Sequence, residues 1–227
     1  RTGEKHGTWT LWYEDGTLKA QESYASGEKD GQWIWWHPNG VKDKEGSYKT
    51  GVYHGIWTLW NNADHKKSEK TFVNGILDGM ISMWYNNGNK EREGIIRGNE
   101  PEGSWVYYHA DGTEDFTFDY GSGLDRLRIA ELEERDGVFY KIGKHKPYTG
   151  IVVETGGIKD YLLLGRFQAG KRDGQWVQWY RNGQKEVEGI YYRGKKHGDW
   201  TLWYEDGTLK EQGQFDMGMV DVNYKYW

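Results

Sequence analysis

The sequence is built on a repeat of 24 residues, and this period constrains the fold more than any other feature. A glycine followed two positions later by tryptophan recurs at Gly7/Trp9, Gly31/Trp33, Gly55/Trp57, Gly103/Trp105, Gly174/Trp176 and Gly198/Trp200. Gly79 and Gly150 continue the series, with Ile81 and Val152 in place of tryptophan. If the leading glycine is counted as position 0, 12 of the 14 tryptophans lie at +2 or +5. A period of this length predicts an array of stacked supersecondary units.

Each period predicts one β-hairpin. The first strand ends at an Asp-Gly or Asn-Gly pair at +8/+9, and such pairs are typical of a type I′ turn in which both residues have positive φ. These pairs are Asp15-Gly16, Asn39-Gly40, Asn87-Gly88, Asp111-Gly112, Asn182-Gly183 and Asp206-Gly207. The second strand runs to an aromatic residue at +17, and the glycine at +20 marks the return connection. Because no helical periodicity is sustained in these units, we expect an all-β fold, an elongated single-layer antiparallel meander of tandem hairpins.

The alternation of side chains along a strand assigns the repeat positions to two faces. Positions +2, +4 and +6 share one face, and +17 is expected to join them from the second strand. Position +5 lies on the opposite face if no bulge intervenes. A glycine at +15 should leave room for a tryptophan of the adjoining strand, which fixes the strand register. These glycines are Gly46, Gly94, Gly165, Gly189 and Gly213.

We expect one continuous array in three parts. Residues 1–123 hold five hairpin repeats preceded by a truncated one, residues 124–149 an atypical linking hairpin, and residues 150–227 three further repeats and a closing strand. Residues 124–135 suit either a short helix or an irregular strand, and we favour the strand because it keeps the sheet continuous. The glycines around Ser122 predict a kink near residues 121–135.

Two segments at opposite ends of the chain are almost identical. HGTWTLWYEDGTLK at residues 6–19 and HGDWTLWYEDGTLK at residues 197–210 differ at one position. We interpret this identity as a recent duplication. The alternative is that the two segments are equivalent contact points for a symmetric partner.

Composition and motif spacing argue against several functional classes. The absence of cysteine excludes disulfides, thiolate metal sites and cysteine nucleophiles. A formal net charge of −5 disfavours nucleic acid as a partner, and no apolar run is long enough to predict membrane insertion. His6, His54 and His197 share position +23 with aspartates of other repeats, so we interpret them as turn residues and not as metal ligands. We expect no catalytic residue, no metal and no cofactor.

Two repeats show a family resemblance clearly. They are GTWTLWYEDGTLKAQESYASGEKD at residues 7–30 and GQWVQWYRNGQKEVEGIYYRGKKH at residues 174–197. They resemble MORN repeats in their bacterial variant form, which implies a twisted antiparallel meander and a binding role. Residues 132–200 also resemble the YwqK-like antitoxin family, through RDGVFY at 135–140 and PYTG at 147–150. That second resemblance implies an immunity protein that neutralises a cognate toxin.

The tryptophans are the candidate binding residues. A single-layer sheet that carries two tryptophan rows cannot bury both, and exposed aromatic side chains are typical of partner interfaces. The +5 row has polar neighbours, so we predict partner binding by Trp12, Trp36, Trp60, Trp84, Trp179 and Trp203. The alternative is that both rows pack along the sheet as a structural ladder.

The resulting hypothesis is a non-catalytic protein that binds another protein, with a cognate toxin as the specific case. A structural scaffold, a cell-surface adhesion array that forms homo-oligomers, and glycan binding through the tryptophan rows stay open as alternatives. The bacterial cytoplasm is the favoured location. A secreted or surface-attached protein stays open, because Arg1 falls inside a repeat and we expect earlier residues to be missing.

Overall fold

The computed structural model describes residues 3–121, 123–155, 162–220 and 224–227. In these ranges the regular elements are strands, apart from one 3-10 turn at Ile129–Glu131, so the predicted all-β fold is confirmed. The chain divides between residues 122 and 123 into two compact units. Ser122, at the predicted kink, lies outside the described residues.

The first unit is an antiparallel meander of 11 strands. Its strands are β1 (Gly7–Trp12), β2 (Leu18–Ala25), β3 (Glu28–Lys29), β4 (Gly31–Trp36), β5 (Lys42–Lys49), β6 (Val52–Trp60), β7 (Lys66–Val73), β8 (Ile76–Trp84), β9 (Lys90–Arg97), β10 (Glu100–Tyr108) and β11 (Glu114–Asp119). The spatial order follows the chain from β1 to β11, with the short β3 paired to β2. Neighbouring strands in space are therefore neighbours in sequence, as a stack of hairpins requires.

The second unit combines a larger sheet with a separate hairpin. Its strands are β12 (Asp125–Leu127), β13 (Leu132–Arg135), β14 (Val138–Lys141), β15 (Gly150–Glu154), β16 (Leu163–Gln168), β17 (Lys171–Trp179), β18 (Lys185–Tyr192), β19 (Lys195–Trp203), β20 (Leu209–Asp216), β21 (Met219–Val220) and β22 (Lys225–Tyr226). From β15 to β20 the sheet again follows the chain, whereas β12 adds to its edge parallel to β15.

A bulge at the start of the repeat explains the leading glycine. Between β5 and β6, Glu45 pairs with Thr58 and Ser47 pairs with His54, so residues 55–57 all lie opposite Gly46. Gly55, inside this bulge, has a φ of 71°. The left-handed region costs a residue with a Cβ free energy that glycine avoids. The leading glycines of the other tryptophan-bearing repeats also have positive φ, which accounts for their strict recurrence.

The prediction of type I′ turns at +8/+9 is wrong. In the loop at Asp15-Gly16 only the glycine has positive φ, and the backbone N–H of Gly16 donates to the carbonyl of Tyr13. This geometry is a type I turn followed by a left-handed glycine. The Asp15 carboxylate accepts hydrogen bonds from the backbone N–H and the hydroxyl of Thr17, at 2.9 and 2.6 Å. The aspartate is therefore selected for its side-chain hydrogen bonds.

Within the 24-residue repeats, turns in which both central residues have positive φ lie at the opposite end of the hairpins, around +19/+20. Outside the repeats, Asp136-Gly137 also has positive φ at both residues. The turns within the repeats are Ser26-Gly27, Thr50-Gly51, Asn74-Gly75, Gly98-Asn99, Ala169-Gly170, Arg193-Gly194 and Met217-Gly218. Only two of these pairs contain asparagine, and none contains aspartate. The Asn-Gly or Asp-Gly pair that usually indicates this turn is therefore mostly absent here. For this reason the sequence pattern predicted the turn at the wrong end of the hairpin.

The +15 glycines are the points of closest approach between neighbouring repeats, as predicted. The contacts are Gly46 with Trp57, Gly94 with Trp105, Gly165 with Trp176, Gly189 with Trp200 and Gly213 with Tyr224. A Cβ on any of these glycines would lie 2.2 to 2.4 Å from an atom of the facing ring. None of the five has positive φ, so the reason for glycine at these five positions is steric. Glycine is not required at every +15, because the first repeat has Glu22 at this position beside the buried Trp33. In the repeat that has Lys70 at +15, the residue opposite is Ile81.

The tryptophans at +2 are held by hydrogen bonds as well as by packing. The indole N–H of Trp57 donates to the carbonyl of Ser47 at 3.0 Å, beside the bulge. Trp33, Trp105 and Trp200 make the equivalent bond to the carbonyl ten residues earlier, at 2.8 to 3.0 Å. A buried tryptophan that lacked a partner for this donor would destabilise the sheet.

Aromatic rings at +17 pack against the +2 tryptophans on the same face. The ring of Trp33 lies 5.1 Å from those of Tyr24 and Tyr48, edge to face in both cases. Trp33, Tyr48 and Trp57 form a buried cluster. The Lys29 ammonium lies 4.6 Å from the Trp33 ring. The assignment of +2 and +17 to one face of the sheet is therefore correct.

The atypical segment forms strands, and its hairpin packs on the larger sheet of the second unit. β13 and β14 pair through the turn at Asp136-Gly137. The Phe139 ring lies 4.9 Å from that of Phe167. A buried cluster beneath it contains Leu127, Tyr148, Val152, Leu163, Phe167 and Trp176. The sheet therefore has a second layer here, which the single-layer prediction did not anticipate.

The glycine–tryptophan contact can be tested by substituting Gly94 with alanine. We expect Gly94→Ala to lower the free energy of unfolding by about 1–3 kcal/mol, because a methyl group would overlap the Trp105 ring. Urea denaturation followed by tryptophan fluorescence would measure the loss. Lys70→Ala is the matched control at the same repeat position, because it faces Ile81, and it should change stability by less than about 0.5 kcal/mol. Equal effects of the two substitutions would contradict the steric explanation.

Candidate functional site

The candidate site lies on the face of the first-unit sheet opposite the buried +2 row. Directly paired residues of neighbouring strands share a face. Thr58 at +3 lies opposite Glu69 at +14, and Trp60 at +5 lies opposite Lys66 at +11. A bulge does intervene between Leu59 and Trp60, but its extra residue, Lys67, is in the second strand, so the alternation along the first strand is kept. The same alternation brings positions +1, +16, +18 and +21 to this side. We call this surface the +5 face.

A lysine, a glutamate and an aromatic ring recur together on the +5 face. The Lys42 Nζ lies 2.6 Å from the Glu45 carboxylate and 5.5 Å from the centre of the Trp60 ring in the next repeat. The same arrangement recurs in Lys66/Glu69/Trp84, in Lys90/Glu93/Tyr108 and, in the second unit, in Lys185/Glu188/Trp203. Each of these four +5 rings therefore carries a lysine ammonium from the preceding repeat over one side, in cation–π geometry.

The six predicted partner-binding tryptophans differ in exposure. Trp12 is 61% exposed, whereas Trp36, Trp60, Trp84 and Trp203 are partly buried. Trp179 is only 6% exposed, so its ring is not accessible to a partner in this structure. By contrast, most tryptophans of the +2 row are buried: Trp33, Trp57, Trp105, Trp176 and Trp200.

Glu93 is the carboxylate with the most hydrogen bonds in this arrangement. The Lys90 ammonium lies 2.7 Å from one oxygen, and the Tyr108 hydroxyl donates to the other at 2.9 Å. The Ser82 hydroxyl adds a longer bond at 3.4 Å. Desolvation by itself would raise the pKa of Glu93, but these donors outweigh it and lower the pKa below its ordinary value.

The +5 face also carries a group of exposed aliphatic side chains, which we call the apolar patch. Its members are Val52, Ile56, Val73, Ile76, Met80 and Ile95. Met80 lies directly opposite Ile95, and Val73 opposite Ile76. Ile56 and Met80 are 58% and 53% exposed. Contiguous exposed apolar surface of this kind typically marks an interaction site.

The apolar patch departs from what the other repeats have at the same positions. Position +1 is polar in Thr8, Gln32, Ser104, Gln175 and Asp199, and the isoleucine at this position in another repeat, Ile151, is buried. Position +16 is polar in Ser23, Ser47, Thr71, Asp119, Arg166 and Gln214. The pattern shared by the repeats does not predict the apolar patch, because its residues are exceptions to that pattern. A comparison of the repeats position by position would have found the patch in the sequence.

The +23 residues act in turns, which agrees with their interpretation from the sequence. The backbone N–H of Thr50 donates to the Asp30 carboxylate at 3.1 Å, and the N–H of Ser26 approaches Nδ1 of His6 at 3.5 Å. Across the described ranges, no group of three or more histidine, aspartate or glutamate side chains is placed to hold a metal ion. Nor does any helix in those ranges have the length and apolar character needed to cross a bilayer.

Four segments of the chain match a known family of repeats. The family described as MORN repeat variant matches residues 5–26, 29–50, 172–192 and 196–217. Each match begins two residues before a leading glycine and ends within a residue or two of a +19/+20 turn, so its limits agree with the structural hairpin. The chain therefore contains repeats that match the MORN repeat variant family, two in each unit. No curated protein matches the chain.

The hydrogen bonds to Glu93 predict a specific pH dependence. A carboxylate whose pKa is lowered by folding stabilises the protein above the unfolded-state pKa, and this stabilisation is lost as the pH falls through the folded-state pKa. NMR titration of the Glu93 side chain should therefore give a pKa below 4.5. Tyr108→Phe removes one donor and should raise that pKa. A Glu93 pKa at or above 4.5 in the unsubstituted protein would contradict the arrangement.

Proposed function

We propose that this protein is a non-catalytic binding protein whose partner is another protein, and that the apolar patch is the main contact surface. The observation that carries the proposal is the grouping, in consecutive repeats, of exposed aliphatic side chains at positions that are mostly polar in the other repeats. Nothing in the packing of the sheet requires this replacement, because the other repeats form the same hairpins with serine, threonine or glutamine at these positions.

The surroundings of the apolar patch support a protein partner. Protein interfaces combine an apolar centre with a polar rim. Here the aliphatic side chains lie on the same face as the Lys–Glu pairs and the partly buried rings of Trp60 and Trp84. MORN repeats in general mediate interactions and are in general not catalytic, which agrees with this proposal.

Binding of a sugar by the +5 row is less well supported. Stacking of a sugar ring requires an open aromatic face. The Trp60, Trp84 and Trp203 rings each have a lysine ammonium over one side, at 5.4 to 5.6 Å from the ring centre. A hydrated cation on these rings favours their role as part of a mixed protein-binding surface.

A narrower form of the proposal is that the partner is a toxin, which the chain neutralises by covering it. Its support is the resemblance of residues 132–200 to the YwqK-like antitoxin family. The match to the MORN repeat variant family does not favour a toxin over any other protein partner. Expression of the adjacent reading frame with and without this chain tests it. Growth inhibition relieved at equimolar amounts of the chain would support the toxin hypothesis, and a harmless neighbouring protein would remove it.

The apolar patch can be tested with substitutions taken from the chain's own repeats. In the variant Ile56→Gln, Met80→Gln, Ile95→Ser, each residue becomes one that another repeat has at the same position. We expect the affinity of this variant for a protein partner isolated with the unsubstituted chain to fall at least about tenfold, because loss of one strong contact suffices for that change. Calorimetric titration of the purified partner with both forms would measure the difference.

A matched control comes from the second unit. Ile190 is 42% exposed at position +16, so Ile190→Ser makes the same chemical change outside the apolar patch. It should leave the partner affinity unchanged. Equal melting temperatures of all forms would show that the fold is intact. A triple variant that binds as tightly as the unsubstituted protein would overturn the proposed contact surface.

A further inference from the structure

The second unit has a cavity of about 310 Å³ on the face of its sheet that carries the +2 tryptophans. Trp176 and Trp200, from consecutive repeats, form part of its wall, with the Tyr191 ring between them. Tyr191 packs edge to face on both tryptophans, with ring centres 5.7 and 4.9 Å apart. We call this space the Trp176–Trp200 cavity.

The cavity is open because a position that is bulky in most repeats carries Gln178 here. Position +4 is otherwise apolar or aromatic in Leu11, Trp35, Leu59, Met83, Tyr107 and Leu202. In the first unit the Trp35 ring lies 5.2 Å from that of Trp33 and 6.0 Å from that of Trp57, so it fills the equivalent space. The side-chain amide of Gln178 instead donates to the Glu186 carboxylate at 2.8 Å, at the wall of the cavity.

Arg172 is the main charged residue of the cavity wall. Its guanidinium lies 5.0, 5.2 and 5.5 Å from the ring centres of Trp176, Phe139 and Tyr191. Its Nε atom is buried and has no hydrogen-bond partner among the described residues. A buried N–H group without an acceptor costs free energy, and a charged one costs more. An anion held by this guanidinium would offset that cost.

Two lysines add positive charge to the same wall. The Lys196 ammonium lies 4.3 Å from the centre of the Trp200 ring, and Lys210 reaches the cavity from β20. Burial lowers the pKa of Lys196, and the Glu211 carboxylate only partly opposes this shift. Within the described ranges, no carboxylate forms an ion pair with Arg172, Lys196 or Lys210. The cavity therefore has an excess of positive charge in a chain whose net charge is −5.

The spacing of the cations indicates a ligand with more than one anionic group. Arg172 and Lys196 both occupy position +22, in β17 and β19, and β18 lies between these strands. Because neighbouring strands are about 4.8 Å apart, equivalent positions two strands apart are separated by about 10 Å. While each cation stays on the tryptophan ring of its own strand, one carboxylate cannot contact both.

We propose that the Trp176–Trp200 cavity binds an acidic peptide segment of another protein, with one carboxylate on Arg172 and a second on Lys196. An arginine guanidinium donates two parallel hydrogen bonds to a carboxylate. In the polyproline II conformation, residues three positions apart lie on the same side of the chain, about 9 Å from each other. The segment therefore has the pattern acidic-x-x-acidic, and its aliphatic groups pack on the Tyr191 ring between the two cations.

This site is separate from the apolar patch, because the apolar patch lies in the first unit and the cavity in the second. Recognition at the cavity depends on paired charges, whereas the apolar patch depends on exposed aliphatic side chains. The variant Ile56→Gln, Met80→Gln, Ile95→Ser should leave peptide binding at the cavity unchanged. The two proposals can therefore fail independently.

The test uses the full chain and the blocked peptide Ala-Pro-Glu-Pro-Pro-Glu-Pro-Ala, in which the prolines favour the polyproline II conformation. We expect a saturable change of the Arg172 Nε–H signal in NMR spectra, assigned by its loss in Arg172→Lys. The same peptide with glutamine for both glutamates should bind at least about tenfold more weakly. The peptide Ala-Pro-Pro-Glu-Glu-Pro-Pro-Ala has the same composition and charge but adjacent glutamates, and it should bind at least about threefold more weakly.

Substitutions in the protein provide matched controls. Lys196→Gln should weaken peptide binding at least about fivefold. Lys29→Gln makes the same change at the same repeat position in the first unit, where Lys29 lies 4.6 Å from the Trp33 ring, and it should have no effect. Gln178→Trp introduces the residue that Trp35 represents at this position and should abolish binding, because it fills the cavity and removes no positive charge. Equal melting temperatures of the lysine variants would show that the fold is intact.

Three results would overturn the proposal. The first is an Arg172 Nε–H signal that does not change with the acidic peptide. The second is an equal effect of Lys196→Gln and Lys29→Gln, which would show that the peptide is attracted by the overall charge of the chain. The third is equal affinity of the two glutamate peptides, or tighter binding of inorganic phosphate than of either, because the site would then take a single anion.

Discussion

The contact of an indole ring with a glycine of the preceding repeat is the interaction on which the rest of the structure depends. It sets the distance between neighbouring hairpins, because the ring of Trp57 occupies the space that a Cβ on Gly46 would need. It also sets the register, since the indole N–H donates to the carbonyl one residue beyond that glycine. The bulge with its left-handed leading glycine lies opposite the same point. The +15 glycine, the +2 tryptophan and the leading glycine of the 24-residue pattern thus all belong to one packing contact.

Because this contact buries the +2 row on one face, the exposed side chains on the opposite face can differ from one repeat to another. On that face the Lys–Glu–aromatic groups are partly accessible, and single ion pairs of this kind contribute little to stability. The +16 residue contacts the +2 indole through its backbone carbonyl, so a change of its side chain leaves that hydrogen-bond acceptor in place. A repeat protein can therefore acquire a binding surface in two or three of its repeats at little cost in fold stability. The apolar patch at residues such as Ile56 and Met80 has this character, since it changes side chains and leaves the hairpin unaltered.

The pairing and packing that recur in every repeat could be predicted from the sequence, whereas the turn types and the contacts that occur once could not. The hairpins, the two faces and the fit of Gly94 to Trp105 follow from periodicity and side-chain volume. The turn types were exchanged because Asp15 is used for its hydrogen bonds to Thr17 and not for a left-handed backbone. The second layer formed by β13 and β14 depends on contacts such as that of Phe139 with Phe167, which are distant in sequence and present once. The apolar patch is also unique, so a search for shared residues passed over it.

The two copies of one strand sequence show why burial in such an array cannot be read from a single repeat. Trp9 and Trp200 occupy the same position in nearly identical segments, yet one is 46% exposed and the other 2%. The difference comes from the neighbouring strand, because β18 supplies a glycine, a carbonyl and a tyrosine that β1 does not have beside it. In this architecture the burial of a +2 tryptophan is therefore decided by the strand beside it and not by the sequence of its own repeat.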